Sequence, residues 1–238
     1  MWKRSNDERP IMIGMDFFDR IREEGGYYVD KTALIDRLLE RKGVYLFTRP
    51  RRFGKTLNLT MIDAYFNVRY KGNTWFDGLR ISELRPDDLM KNSCTVLLLF
   101  MKDLMAGTFE AFLDGMRQKI SELCKSFAEL SESDRQDPAD RSLFRRLKSG
   151  IASEADLRCS LSLITRMLSV EHDRKVVLLM DEYDNAVNEA GSEDMRKKVL
   201  EFMSVFLSSA LKSNPSLAFA VVTGVMQIAK ASIFSGLN

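Results

Sequence analysis

Val44-Tyr45-Leu46-Phe47-Thr48-Arg49-Pro50-Arg51-Arg52-Phe53-Gly54-Lys55-Thr56 is the stretch that decides how this chain folds. Its first four residues form a continuous apolar run, which reads as a strand covered on both faces. A basic loop follows, then Gly-Lys-Thr. Behind it Leu57, Met61, Ile62, Tyr65 and Phe66 recur at helical spacing. Strand, loop, Gly-Lys-Thr and amphipathic helix stand in the order of a phosphate-binding P-loop. The physical need is specific, because backbone N–H groups and the start of the following helix must wrap a polyphosphate. Gly54 lets the chain approach the phosphates without a side chain in the way. The motif gives Lys55 the β- and γ-phosphates to neutralise and gives the Thr56 hydroxyl a Mg²⁺ ion to coordinate. The usual motif opens with a glycine five residues before its second one, and here that position is Arg49. The expected nucleotide contacts run through Arg49, Pro50, Arg51, Arg52, Phe53, Gly54, Lys55 and Thr56 to Leu57.

Three more apolar runs read as buried strands: Thr95 to Phe100, Val176 to Met180, and Ala218 to Val222. Helical patterns separate them. Asp30 is placed to cap a helix through Lys31 to Ile35, with Val29 and Leu34 at the positions of a hydrophobic staple. Ser153 and Asp156 form a capping-box pattern ahead of Leu157, Leu161, Ile164 and Leu168. Val199, Phe202, Met203, Phe206, Leu207, Ala210 and Leu211 make the clearest helical stripe, a core face rather than a cofactor surface. The polar stretch from Ser131 to Asp140 reads as an exposed loop within a helical insertion over 105–160. The alternation predicts an α/β fold with a mainly parallel sheet sandwiched by helices, a single domain over 1–238.

The run Val176 to Met180 ends in Asp181-Glu182. A strand-end acid can hold the water shell of Mg²⁺, and the adjacent Glu182 can polarise an attacking water. The structural alternative is a strand running into an acid-capped helix, with Asp184 also placed to cap. The two motifs together, in this order, favour nucleotide binding over that alternative. Thr223-Gly224, after the last strand, is a candidate γ-phosphate sensor of the kind found in additional-strand P-loop ATPases, and equally a common turn. Lys55, Glu182 and Thr223 are therefore the candidate catalytic residues, and Thr56 and Asp181 the candidate metal ligands.

Composition narrows the setting. Hydrophobic residues make up 45% and charged residues 29%, and the net charge of +2 is too small to imply a nucleic-acid or acidic-membrane partner. Arg49, Arg51 and Arg52 are a local cluster, best used on phosphates, with a protein partner, a neighbouring subunit or nucleic acid as alternatives. Cys94, Cys124 and Cys159 are far apart, which argues against disulfides or zinc and fits a reducing cytoplasm. The lone His172, in a polar run, reads as a solvated loop residue, and its isolation argues against histidine-assisted nucleophilic catalysis. The N-terminus lacks the apolar stretch of a secretory signal, and no run has the length of a membrane span.

Taken together, these residues resemble the AAA-ATPase-like family of bacterial and archaeal proteins. The resemblance runs from Ile13-Gly14 to Asn238. It is carried by Tyr28 to Thr32, the arginine-rich loop Arg49 to Thr56, Asp181-Glu182-Tyr183-Asp184, Thr223-Gly224, and Ser232 to Asn238. It implies an additional-strand sheet with the P-loop strand between strands contributed by later parts of the chain. It also implies ATP and Mg²⁺ as ligands, and the usual P-loop roles for Lys55, Thr56, Asp181 and Glu182. Tyr28 to Thr32 would lie where related ATPases contact the base, although the helix cap at Asp30 explains the same residues. Asn185-Ala186 replaces a frequent Thr-Pro, and Gln227 and Ala231 stand where arginine and glutamate are frequent; these departures bear on turnover rather than on binding. Relatives usually continue beyond the Ser-Gly-Leu-Asn motif, many into a restriction-endonuclease-type domain. The chain accordingly reads as C-terminally truncated, with no nuclease activity assigned.

Three functions compete at this point. A slow ATPase coupled to a conformational change draws on Glu182 beside Asp181. An ATP-occupancy switch or interaction module with negligible hydrolysis draws on Gln227 and Ala231. A small-molecule or nucleoside kinase also uses a P-loop, but the acidic pair and Thr223-Gly224 fit a hydrolase better.

Overall fold

A computed structural model describes residues 9–41, 43–104 and 107–225. Gln227, Ala231 and Ser232 to Asn238 lie outside the described residues. The chain divides into two compact units, one drawing on Met1–Lys42 and Gly54–Ser93, the other on Gly43–Phe53 and Cys94–Asn238.

The first unit is helical. It contains α1 (Phe18–Glu23), α2 (Ala33–Glu40), α3 (Lys55–Phe66) and α4 (Arg80–Leu84). The sequence pattern marks α3 as amphipathic, but every residue from Leu59 through Phe66 is buried while Leu57 is only half-buried. The polar members inside this stretch find partners within the unit. The Thr60 hydroxyl accepts from the Phe18 N–H at 3.1 Å and donates to the Asp16 carbonyl at 3.0 Å. Asp63 accepts from Arg69 at 2.6 Å and from the Asn67 amide at 2.7 Å.

Asp30 does not cap α2, whose N-cap residue is Thr32 with no side-chain cap bond. Its Oδ1 accepts from the Thr32 N–H at 2.8 Å, but the helix begins at Ala33 and Val29 stays exposed, so no staple closes over it. The other carboxylate oxygen takes the Arg80 N–H at 2.7 Å. Burial works against the charge on Asp30, and the bonds from Thr32 and Arg80 outweigh it, holding the carboxyl below its ordinary range.

The second unit is the α/β body. Its strands are β1 (Val44–Thr48), β2 (Thr95–Phe100), β3 (Val176–Asp181) and β4 (Leu217–Gly224), all parallel, in the order β1-β4-β3-β2. All four sequence-predicted strands are present. Among the described residues β1 is an edge strand with β4 as its neighbour, so the expectation that later strands flank it on both sides is not met there. β3 is buried at every position, the reason it reads as an uninterrupted apolar run.

The helices of this unit are α5 (Phe109–Lys125), α6 (Pro138–Ser149), α7 (Glu154–His172), α8 (Asn185–Asn188) and α9 (Glu193–Leu211). The capping box of α7 forms as read, with the Ser153 hydroxyl and the Asp156 carboxylate exchanging bonds with each other's backbone N–H. The whole stripe of α9 from Val199 to Leu211 is buried. Phe202 packs edge-on to Phe112 at 5.2 Å and stacks with Phe206 at 5.9 Å, joining α9 to α5.

Two expectations change. His172 is exposed, but it is the last residue of α7, and Asp173 turns the chain out through the left-handed region at φ 51°. The stretch Ser131 to Asp140 is not simply an exposed loop. Ser131 and Gln136 are buried, the Gln136 amide donates to the Met167 carbonyl at 3.0 Å, and Asp137 caps α6 with Pro138 at its first position. None of the described helices is long and apolar enough to cross a membrane.

Candidate functional site

Because the strands are parallel, their C-terminal ends Thr48, Phe100, Asp181 and Gly224 share one edge of the sheet. Backbone bonds knit that edge together. The Arg49 N–H donates to the Gly224 carbonyl at 3.1 Å, Met101 to Asp181 at 3.0 Å, and Tyr183 to Thr223 at 3.1 Å. Thr223 lies on the strand between β1 and β3, is 1% exposed, and donates its hydroxyl to Oδ1 of Asp181. Two of the sequence-predicted site residues are thus in direct contact.

Glu182, the next residue, is half-buried and held at φ 54°. A left-handed backbone costs a residue with a side chain roughly 1–2 kcal/mol. Its neighbours fix the bend. Tyr183 and Asp184 are 2% and 1% exposed. The Asp184 carboxylate accepts from the Val225 N–H at 2.9 Å and from the Asn188 amide at 3.1 Å. Asp184 therefore braces the chain after β4 and gives α8 no side-chain cap at its first turn, which corrects the plain capping alternative. Asn185 donates its amide to the Lys102 carbonyl at 2.6 Å and ties this turn to the segment after β2.

The loop after β1 carries its own bend, with Arg52 at φ 67°. Arg51 reaches Glu189 at 3.5 Å in an exposed pair, and Phe53 is largely exposed. Such a pair contributes about 1 kcal/mol at most, so Arg51 is readily redirected to an anion. In the helical unit Gly54 is left-handed at φ 68° and α3 starts on Lys55, with Thr56 next. Nothing acidic stands in the first turn of α3.

Among the described residues no group of three or more histidine, cysteine, aspartate or glutamate side chains could hold a metal. Magnesium seldom needs one, since it is commonly bound by one or two carboxylates together with substrate phosphates and water. In the α/β body the Asp181 carboxylate is a hard oxygen donor of the type it takes.

A family model described as Predicted AAA-ATPase matches residues 12–234. The chain belongs to that family. It is also 28% identical over 234 residues to an Azotobacter chroococcum mcd 1 protein named "Uncharacterized protein in vnfD 5'region", a match that covers 97% of this chain and 40% of that protein. The chain thus spans about two-fifths of the length of that curated relative. No solved structure matches.

Two features of this AAA-ATPase-family chain were not read from its sequence. Gly224 is a point of close approach, since a Cβ there would fall 2.6 Å from Tyr183 Cε1 and 2.7 Å from Asp184 Oδ1. In the helical unit, the Lys31 ammonium lies 3.7 Å from the place a Cβ on Gly54 would take. The only sequence signal for either was a small or charged residue within a motif.

Proposed function

We propose that this AAA-ATPase-family chain binds Mg-ATP and hydrolyses it slowly, on a sheet of the additional-strand type. The observation that carries the reading is the Thr223–Asp181 hydrogen bond, made by a polar residue on the strand between the one entering the Gly-Lys-Thr loop and the one ending in paired acids. Ordinary core strands have no use for a buried carboxylate there, because burying a charge is costly without a partner.

In this reading the N–H groups of the loop and of the start of α3 receive the phosphates, and Lys55 neutralises them. Thr56 and Asp181 hold Mg²⁺, which draws charge from the phosphate oxygens. Glu182 accepts a proton from the attacking water. Thr223 orients Asp181, and its contact with the terminal phosphate requires that bond to switch acceptor.

Calorimetric titration with Mg-ATP tests the reading. The parent chain should bind saturably, and Lys55→Ala should bind about tenfold to a hundredfold more weakly, the loss of one charge-assisted hydrogen bond. A folded parent chain that takes up no heat of binding would sink the proposal.

Thr223→Val keeps the shape of the side chain and removes its donor. Partners that orient a metal-binding carboxylate are worth about tenfold or more in metal affinity. The variant should therefore need roughly tenfold more Mg²⁺ for half-maximal ATP binding. An unchanged magnesium titration would separate Asp181 from the metal.

A further inference from the structure

We infer that Asn185 is a positioning residue for Glu182, holding its carboxylate where it takes the proton of the attacking water; this rests on the hydrolysis reading above. Glu182 sits in the left-handed region at φ 54°. A residue with a side chain stays there only where its surroundings over-determine the bend. Release from it would swing the side chain away from the strand-end Asp181. The turn is clamped from both flanking strands. On the β4 side the Tyr183 N–H donates to the Thr223 carbonyl at 3.1 Å, and the Asp184 carboxylate accepts from the Val225 N–H at 2.9 Å. On the β2 side the clamp is Asn185.

Asn185 holds the turn with both its backbone and its side chain. Its N–H donates to the Glu182 carbonyl at 3.0 Å, closing a four-residue turn that opens on Glu182. Its amide leaves that turn and donates to the Lys102 carbonyl at 2.6 Å, with the Leu104 carbonyl at 3.4 Å. Those carbonyls belong to a fixed segment. The Met101 N–H bonds the Asp181 carbonyl at 3.0 Å, the Leu104 N–H bonds the Met101 carbonyl at 3.2 Å, and Met101 and Leu104 are both buried. The acidic turn and the turn after β2 are thus tied to each other twice, at Asp181 and at Asn185, with Glu182 between the two ties. A side chain that served only the four-residue α8 would bond locally. This one reaches a carbonyl 83 positions away, at the exit of the neighbouring strand.

The test is a double-mutant cycle on the full chain: parent, Asn185→Ala, Glu182→Gln and the pair, each measured for Mg-ATP binding by calorimetry and for phosphate release at saturating Mg-ATP. Asn185→Ala should bind Mg-ATP within about twofold of the parent and turn over roughly tenfold to a hundredfold more slowly, the cost of misplacing a reacting group by up to about 1 Å. Added to Glu182→Gln it should cost nothing further, because a residue that acts only through the base loses its effect when the base is gone. Parent-like turnover by Asn185→Ala beside a slow Glu182→Gln would overturn the inference and leave the hydrolysis reading standing. An equal loss of rate in both backgrounds, or a loss of Mg-ATP affinity as large as the loss of rate, would make Asn185 a general support of the fold and overturn it too. A parent chain that releases no phosphate would remove both. Should Asn185→Ala melt below the assay temperature, Asn185→Leu, which keeps the branched shape without the donor, carries the same comparison.

Discussion

Glu182→Gln is expected to bind Mg-ATP within about twofold of the parent and to release phosphate roughly 10²- to 10⁴-fold more slowly, the range that a positioned general base contributes. The substitution keeps the length and shape of the side chain and removes its ability to take a proton. Its backbone bend at φ 54° is set by neighbours, namely the buried Tyr183, the braced Asp184 and the strand-end Asp181, so glutamine can occupy the same turn. A substitution of this kind, outside the packed core, costs about 0.5 kcal/mol or less in stability. Steady-state phosphate release at saturating ATP, read beside a binding titration, is the deciding measurement. Equal rates would remove Glu182 from the chemistry. Tight binding without turnover in the parent would instead favour the occupancy-switch reading, with ATP acting as a ligand rather than a substrate.

The legible parts of this molecule are those whose causes are local or two-sided. β3 is buried at all positions, so Val176 to Met180 had to be apolar without alternation, and the strand could be read directly. The Ser153–Asp156 box satisfies helix-start N–H groups within four residues, and it too was legible. Helix α3 misled because Thr60 and Asp63 look like a solvent face. They are buried, Thr60 against Asp16 and Phe18, which only the fold brings near, and Asp63 against Asn67 and Arg69 just past the end of the helix. Gln136 misled for the same reason, since its burial depends on the remote Met167 carbonyl, whereas buried Ser131 bonds the nearby Ala128 carbonyl and accepts from the Lys148 ammonium. Motif spacing singled out Asp181 and Thr223 as candidates at the sheet edge, where the fold brings the two into contact. It could not identify the Asp30 bond to Arg80, fifty residues on, nor the approach of Lys31 to Gly54, because those are made by tertiary packing.

Gly224 gives the sharpest test of the sheet edge itself, independent of any nucleotide. A methyl group there would sit 2.6 Å from Tyr183 Cε1, 2.7 Å from Asp184 Oδ1 and 2.9 Å from Asp184 Cγ. Neither neighbour can yield cheaply. The tyrosine ring is enclosed, and the carboxylate is tied to the Val225 N–H at 2.9 Å and to Asn188. Overpacking costs about 1–3 kcal/mol, and pushing Asp184 off its donors adds a lost hydrogen bond to a charged group, so Gly224→Ala should lose roughly 3 kcal/mol. For a chain of this length that is a fall of roughly 6–12 °C in Tm. Gly191→Ala is the matched control, because nothing lies within 4 Å of a Cβ there, and it should melt with the parent. Nucleotide affinity should fall with Gly224→Ala as well, since the Gly224 carbonyl receives the Arg49 N–H at the root of the loop. If Gly224→Ala melted with the parent, the close packing of the acidic turn against β4 would be wrong, and with it the bracing that holds Glu182 in its left-handed bend.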